Sequence, residues 1–268
     1  KNLIDLLDDE YDDFIINEAY ASEILTKKTL IIVADTHMKS LLEAPQLLEC
    51  TSRIVVIDHH RRSADFIDNA VLTYHEPYAS SASELITEML QYMDSSIMLK
   101  RIEADALYAG IYLDTKNFSF KTGVRTFEAA AYLKKLGIDT VYIKKLFQVD
   151  MNTVAKKWRI IENAHFYKNN IVFAACEKSA EDMQTIVAQA ADELLNVKGV
   201  TCSFVICQLG ADVTISARSF GEINVQVILE KLSGGGHMTM AGAYIKNASV
   251  ADVESQLKNL IDEYLKNK

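Results

Sequence analysis

Two short, nearly unbroken apolar runs constrain the fold more than anything else in the chain. Thr29–Ala34 (TLIIVA) and Arg53–Ile57 (RIVVI) are the kind of segment that a parallel sheet buries on both faces. Each breaks off into acid and imidazole, Asp35 with His37 after the first and Asp58-His59-His60 after the second. The stretch between them, Lys39–Cys50, has room for one helical or looped crossover. Helical patterns follow at Ser80–Met93, Ile102–Leu113 and Val124–Leu136. The first opens on Ser81 with Glu84 three residues on, a capping-box spacing, and the last closes on Gly137. Strands alternating with helices predict an α/β fold built on a parallel sheet.

Near residue 150 the pattern starts afresh. Asn152–Ala164 reads as an amphipathic helix carrying the sole tryptophan, Trp158. Asn170–Ala175 predicts a strand, and Ser179 with Asp182 opens a helix that ends near Leu195. Two β-branched runs, Val200–Leu209 and Val213–Arg218, flank Gly210-Ala211-Asp212 and predict a hairpin. A helix at Ile223–Leu232, an extended stretch at Gly242–Lys246 and a closing helix at Ser249–Lys266 complete a smaller, mixed-sheet α/β domain. The expected organisation is 1–148 followed by 149–268, joined without a Gly/Ser-rich linker.

Composition narrows the partners. Lysine and arginine number 28 against 37 aspartates and glutamates, a formal net charge of −9. The broad basic surface that long nucleic acid requires is therefore missing. A small phosphate ligand stays open, because the charge of a local site can oppose the global one. No apolar run approaches the roughly 20 residues that span a bilayer, so no membrane contact is expected of these residues themselves. Cys50, Cys176, Cys202 and Cys207 form no CxxC pair and no zinc-finger spacing. They read as buried free thiols of a reducing compartment.

The acids sit where ligands bind. In open parallel sheets the crevice lies beyond the carboxyl ends of the strands, which is where Asp35 and Asp58-His59-His60 fall. Asp114 adds a third carboxylate after the apolar run ending at Leu113. Alone, Asp35 or Asp114 reads as a helix cap, and a lone His-His pair as surface. The tandem directly after an apolar strand is rarer. In extended backbone its rings point to opposite sides, one able to hold a metal and the other to face substrate. Mixed oxygen and imidazole donors suit manganese, iron or zinc better than calcium.

In the second half, Gly234-Gly235-Gly236 lets backbone N–H groups approach a ligand closely. On its own it reads as a flexible turn. His237 directly after it, and Arg218 at a strand end where a guanidinium could hold phosphate bidentately, favour a ligand cradle. His37 reads as a cap or a support beside the metals, while His75 and His165 have no evident partner. Arg61, Arg62, Lys116 and Arg125 read as solvated surface or as local counter-charge.

Asp58-His59-His60 after an apolar strand resembles the signature of the DHH phosphoesterases. Residues 234–237 (GGGH), with Arg218-Ser219 and Asn224-Val225 ahead of them, resemble that of their associated second domain. The stretches 58–62 (DHHRR), 76–84 (EPYASSASE) and 112–118 (YLDTKNF) are similar to the GdpP-type cyclic-di-AMP phosphodiesterases of bacteria. This resemblance implies a two-metal site, usually manganese, with Asp35 shared by both metals, His59 on one and Asp114 on the other. It implies that His60 faces the scissile phosphate and that Asp58 supports the histidines. Arg218, Gly234, Gly235, Gly236 and His237 would grip the nucleotide away from the metals, in a cleft between the domains. The expected substrate is cyclic-di-AMP, opened to linear diadenylate by metal-activated water. Relatives of this type usually carry membrane helices and sensory domains upstream, which would put this piece on the cytoplasmic side of an anchored parent. A homodimer stays open.

One motif departs from the pattern. The family's first strand carries His-x-x-x-Asp-x-Asp, giving one histidine and two aspartates to the metals. None of His37, His59, His60, His75, His165 and His237 starts it. The expectation is a piece of an enzyme that begins downstream of that motif. Two alternatives remain: a nanoRNase-like hydrolase of short linear oligonucleotides or diadenylate, and a non-catalytic nucleotide-binding module.

Overall fold

The computed structural model describes residues 14–93, 98–168, 170–176 and 183–267. The helix start expected at Ser179 and Asp182 lies outside the described residues. The chain divides into two compact units, Lys1–Gln148 and Val149–Lys268.

In the first unit β1 (Ile31–Ala34), β2 (Ile54–Asp58) and β3 (Leu72–His75) form a parallel sheet in that order. The register pairs Ala34 with Ile57 and Asp58 with His75, which aligns the three carboxyl ends on one rim. Alternation along β2 sends Ile54 and Val56 into a cluster with Val33, Leu48 and Ile67, and Ile57 to the other face with Ala79 and Leu85. β1 departs from expectation. Only Val33 is buried and Ile32 is 58% exposed, so this strand has one uncovered face among the described residues. β3 was not legible, because it joins through backbone pairing with β2 while Leu72 and Thr73 stay exposed.

α1 (Glu18–Ile24) precedes the sheet, and two short 3-10 turns, Lys39–Leu41 and Pro45–Glu49, carry the chain from β1 to β2. α2 (Ala82–Tyr92), α3 (Arg101–Asp114), α4 (Val124–Lys135) and α5 (Thr140–Leu146) follow. Ala104, Ile111, Ala129, Leu133, Ile138 and Ile143 make the core of the last three. Ser81 caps α2 by accepting the Glu84 N–H at 3.0 Å. Glu84 does not close the capping box; its carboxylate accepts instead from the Ser80 hydroxyl at 2.5 Å. Gly110 allows α3 to lie against α2, since a Cβ there would sit 2.2 Å from Ser83 Oγ.

The second unit runs α6 (Met151–Ile161), β4 (His165–Tyr167), β5 (Ile171–Cys176), α7 (Met183–Leu194), β6 (Cys202–Leu209), β7 (Asp212–Ser219), α8 (Val225–Glu230), β8 (Gly235–His237), β9 (Met240–Ile245) and α9 (Val250–Lys266). Its sheet has the order β4-β5-β6-β7-β9-β8, with β5 and β6 parallel and the other pairs antiparallel. Phe173, Phe204 and Ile215 pack on one face against Val225 of α8 and Leu257 and Ile261 of α9. Val205 and Val172 pack on the other against Ile186, Val187 and Leu194 of α7. The β6–β7 hairpin turns on Gly210 and Ala211 alone, because Asp212 pairs with Leu209.

The glycine segment is a strand rather than a free turn: Gly235, Gly236 and His237 pair with Gly242, Ala241 and Met240. A Cβ at Gly234 or Gly236 would meet a backbone oxygen at 2.5 or 2.4 Å, while at Gly235 it would meet nothing. Cys202 and Cys207 are buried, but Cys176 is only half-buried and Cys50 exposed, all as free thiols. Among the described residues no helix is long and apolar enough to cross a membrane.

Candidate metal centre

The rim of the first sheet collects the expected ligands. Asp35 follows β1 in the left-handed region (φ 65°), which aspartate adopts more readily than most side chains. Its N–H bonds to Ile57 O at 3.0 Å, which ties it to the end of β2. β2 ends at Asp58, so His59 and His60 lie just beyond the ladder. Their rings do not point to opposite sides. The centroids are 4.5 Å apart, because strand alternation stops where the strand does.

His59 Nε2 lies 3.3 Å from Asp35 Oδ1 and 3.6 Å from Asp114 Oδ2, the latter delivered by the last residue of α3. Donor atoms about 2.1 Å from one shared cation lie roughly 3 to 3.5 Å apart, which the His59–Asp35 separation matches and the His59–Asp114 separation just exceeds. Asp35, His59 and His60 also present donor atoms all within 4.8 Å of one another. Burial pushes the Asp114 pKa up, and the charge of Asp35 adds to this against the pull of His59 and His60. An added cation relieves that crowding of carboxylates. Among the described residues His59 Nδ1 is buried with no hydrogen-bond partner, a cost of roughly 1–3 kcal/mol. The donor set fits a divalent metal.

Asp58 braces this arrangement without entering it. It is wholly buried, and its Oδ1 accepts from the N–H of His59 at 2.8 Å, the N–H of His60 at 3.2 Å and His60 Nδ1 at 2.8 Å. Its Oδ2 is bonded by His37 Nδ1. Burial would raise the Asp58 pKa, but the bonds from His60 and His37 prevail and hold it far below the usual carboxylate range. The bond to Asp58 in turn raises the His60 pKa, against the effect of burial. His37 Nε2 accepts from the Ser63 N–H at 2.9 Å, which leaves Nδ1 as the nitrogen that donates to Asp58.

His75 was missed in the sequence. Its Nε2 donates to His60 O at 2.5 Å, and its ring lies 5.0 Å from that of His37. The one available signal was position, at the end of a third strand that itself was illegible. His37, Asp58 and His75 form a second close trio, but their donor atoms are already engaged with one another and with backbone. His165 also has a partner, Glu254 at 3.3 Å. Arg125 is taken up by Glu88 through Nε at 2.7 Å and Nη2 at 2.5 Å, so it is a structural pair rather than counter-charge for the metals.

In the second unit Gly234 and Gly235 line a groove of about 400 Å³ together with Thr214, Ser216 and Tyr244. His237, at the end of β8, is exposed. Arg218 lies two residues beyond Ser216 on β7 and is only 7% exposed. Its Nε donates to Asp192 Oδ1 at 2.7 Å, and its Nη1 to Ser216 Oγ at 3.0 Å and Ala217 O at 2.9 Å. The guanidinium therefore holds Ser216 at the groove.

Carboxylates and imidazoles gathered at the rim of a parallel sheet, in an α/β fold, form a set that could hold a divalent cation. Residues 2–111 match the DHH family, N-terminal domain, and residues 168–267 match the DHHA1 domain. The chain carries a DHH N-terminal domain followed by a DHHA1 domain. It is 44% identical over 254 residues to the cyclic-di-AMP phosphodiesterase PdeA of Listeria monocytogenes, across 94% of this chain and 38% of that protein. To the cyclic-di-AMP phosphodiesterase GdpP of Geobacillus thermodenitrificans it is 46% identical over 250 residues, across 93% and 38%. The chain thus spans well under half the length of these relatives. An exopolyphosphatase-related protein from Bacteroides fragilis shares the fold, with a TM-score of 0.78 at 20% identity over 96% of this chain and 77% of that one.

Proposed function

We propose that this chain is the catalytic part of a metal-dependent cyclic-di-AMP phosphodiesterase, opening the ring to linear 5′-pApA by attack of water. The meeting of Asp35, His59 and Asp114 around His59 Nε2 carries the reading. The activity named for the relatives at 44% and 46% identity supports the substrate. Asp35 would be shared by two cations, with His59 on one and Asp114 on the other. Such mixed carboxylate and imidazole donors suit manganese, iron or zinc better than calcium, and the family resemblance favours manganese among them. When bound, the cations supply Lewis acidity to phosphate oxygens and to the attacking water.

The side chains do the rest. With Nδ1 engaged by Asp58, His60 has Nε2 to turn toward the scissile phosphate. Its raised pKa keeps both ring nitrogens protonated further up the pH scale, so that Nε2–H can donate to a phosphate oxygen. Gly234, Gly235, Gly236 and His237 would receive part of a nucleotide, with Arg218 acting through Ser216.

Asp35→Asn or His59→Ala is expected to lower cyclic-di-AMP hydrolysis in manganese by about a hundredfold or more while the far-UV spectrum stays unchanged. Unaltered turnover in either variant would refute these roles. Running linear diadenylate beside the cyclic substrate separates this reading from a nanoRNase-like one.

A further inference from the structure

The first unit keeps an aromatic hollow that the metal centre does not use. Pro77, Tyr78, Phe118, Ser119, Lys121 and Phe127 line a depression of about 670 Å³. Tyr78 is 94% exposed and Phe127 57% exposed, so these rings bury little area and contribute little to folding. Phe118 and Phe127 stack at 5.8 Å with their planes 16° apart, and Tyr108 backs Phe118 at 5.7 Å. Single exposed aromatics are ordinary. Here two exposed rings and half-buried Phe118 share one hollow.

The hollow is built from the two segments that leave the metal centre. Pro77 and Tyr78 come directly after β3, where the Glu76 N–H bonds to Asp58 O at 3.0 Å. Phe118 stands four residues after Asp114, at the end of three successive left-handed residues, Lys116, Asn117 and Phe118 (φ 46°, 58° and 59°). Lysine and phenylalanine adopt that region at a cost, and such strain collects at functional sites. Buried Thr115 holds the turn: its Oγ1 accepts from the Phe118 N–H at 2.9 Å and donates to Ile111 O at 2.6 Å.

We propose that this hollow is a base-stacking subsite, taking the purine of the nucleotide whose phosphate lies at the metal centre. The inference rests on the phosphodiesterase reading and adds to it a determinant of substrate choice within the metal-binding unit. Stacking tolerates any base, so the subsite selects nucleotides over base-free phosphodiesters and does not discriminate adenine from guanine.

The test is calorimetric binding to the 268-residue chain, with calcium replacing manganese to suppress turnover. Two ligands are compared, cyclic-di-AMP and a base-free cyclic dinucleotide of the same backbone. Tyr78→Ala is expected to raise the Kd for cyclic-di-AMP by about tenfold, the size expected for one stacked base, and to leave the base-free ligand unchanged. Tyr78→Trp should restore binding. An unchanged Kd in Tyr78→Ala, or equal weakening of both ligands, overturns the subsite. Failure of the unsubstituted chain to bind either ligand overturns the phosphodiesterase reading and the subsite together.

Discussion

At the scale of single residues, the metal centre depends on a carboxylate that would touch no metal. Asp58 accepts three hydrogen bonds from the two residues that follow it and one from His37, so it fixes where both imidazoles stand. Asp58→Asn preserves the shape but replaces one acceptor oxygen with a donor. It is expected to lower manganese affinity by about 10- to 100-fold, measured by titration of the metal, with hydrolysis falling in parallel. Affinity equal to that of the unsubstituted chain would remove Asp58 from the brace. A supporting role for Asp58 came from the family resemblance, and the residues by themselves did not give the hydrogen bonds that it accepts from His59 and His60. The orientation of the rings was not legible in the sequence. It depends on β2 ending at Asp58, one residue later than the apolar run suggests.

At the scale of elements, α3 carries the most. It delivers Asp114 from its last turn and lies against α2 at Gly110. Gly110→Val would force its side chain into Ser83 and is expected to destabilise the chain by about 1–3 kcal/mol in denaturant titration. The same displacement should weaken metal binding through Asp114; a variant as stable as the original would show that α2 and α3 can separate without strain. α3 and β2 were readable because their buried residues recur at the period of a helix or form a continuous run. β1 misled because an apolar run signals burial whether or not an element covers its second face. β3 was silent because a strand held by its ladder to β2 needs no hydrophobic signal of its own.

At the scale of the whole molecule, acidity shapes stability. Asp150, Asp212 and Asp262 all titrate below the ordinary carboxylate range, held there chiefly by hydrogen bonds from the Thr153 hydroxyl, the Tyr244 hydroxyl and the Lys168 ammonium respectively. A carboxylate whose folded pKa lies below its unfolded value of about 4 stabilises fully above that value. The contribution is lost as pH falls through the folded value. These three carboxylates should therefore change the melting temperature little on acidification from neutral pH to about pH 5 and lower it below about pH 4. Asp212→Asn should make that fall shallower, and an identical acid limb would remove Asp212 from the account. The sequence by itself determined the α/β class and the residue types available for metal chemistry, because burial period and donor chemistry are local properties of the chain. Only the tertiary structure decided that Asp35, His59 and Asp114 meet, that His75 joins the brace and that Arg218 is bound to Asp192. Those outcomes depend on register between strands and on where each element stops, and neither quantity is written in any one segment.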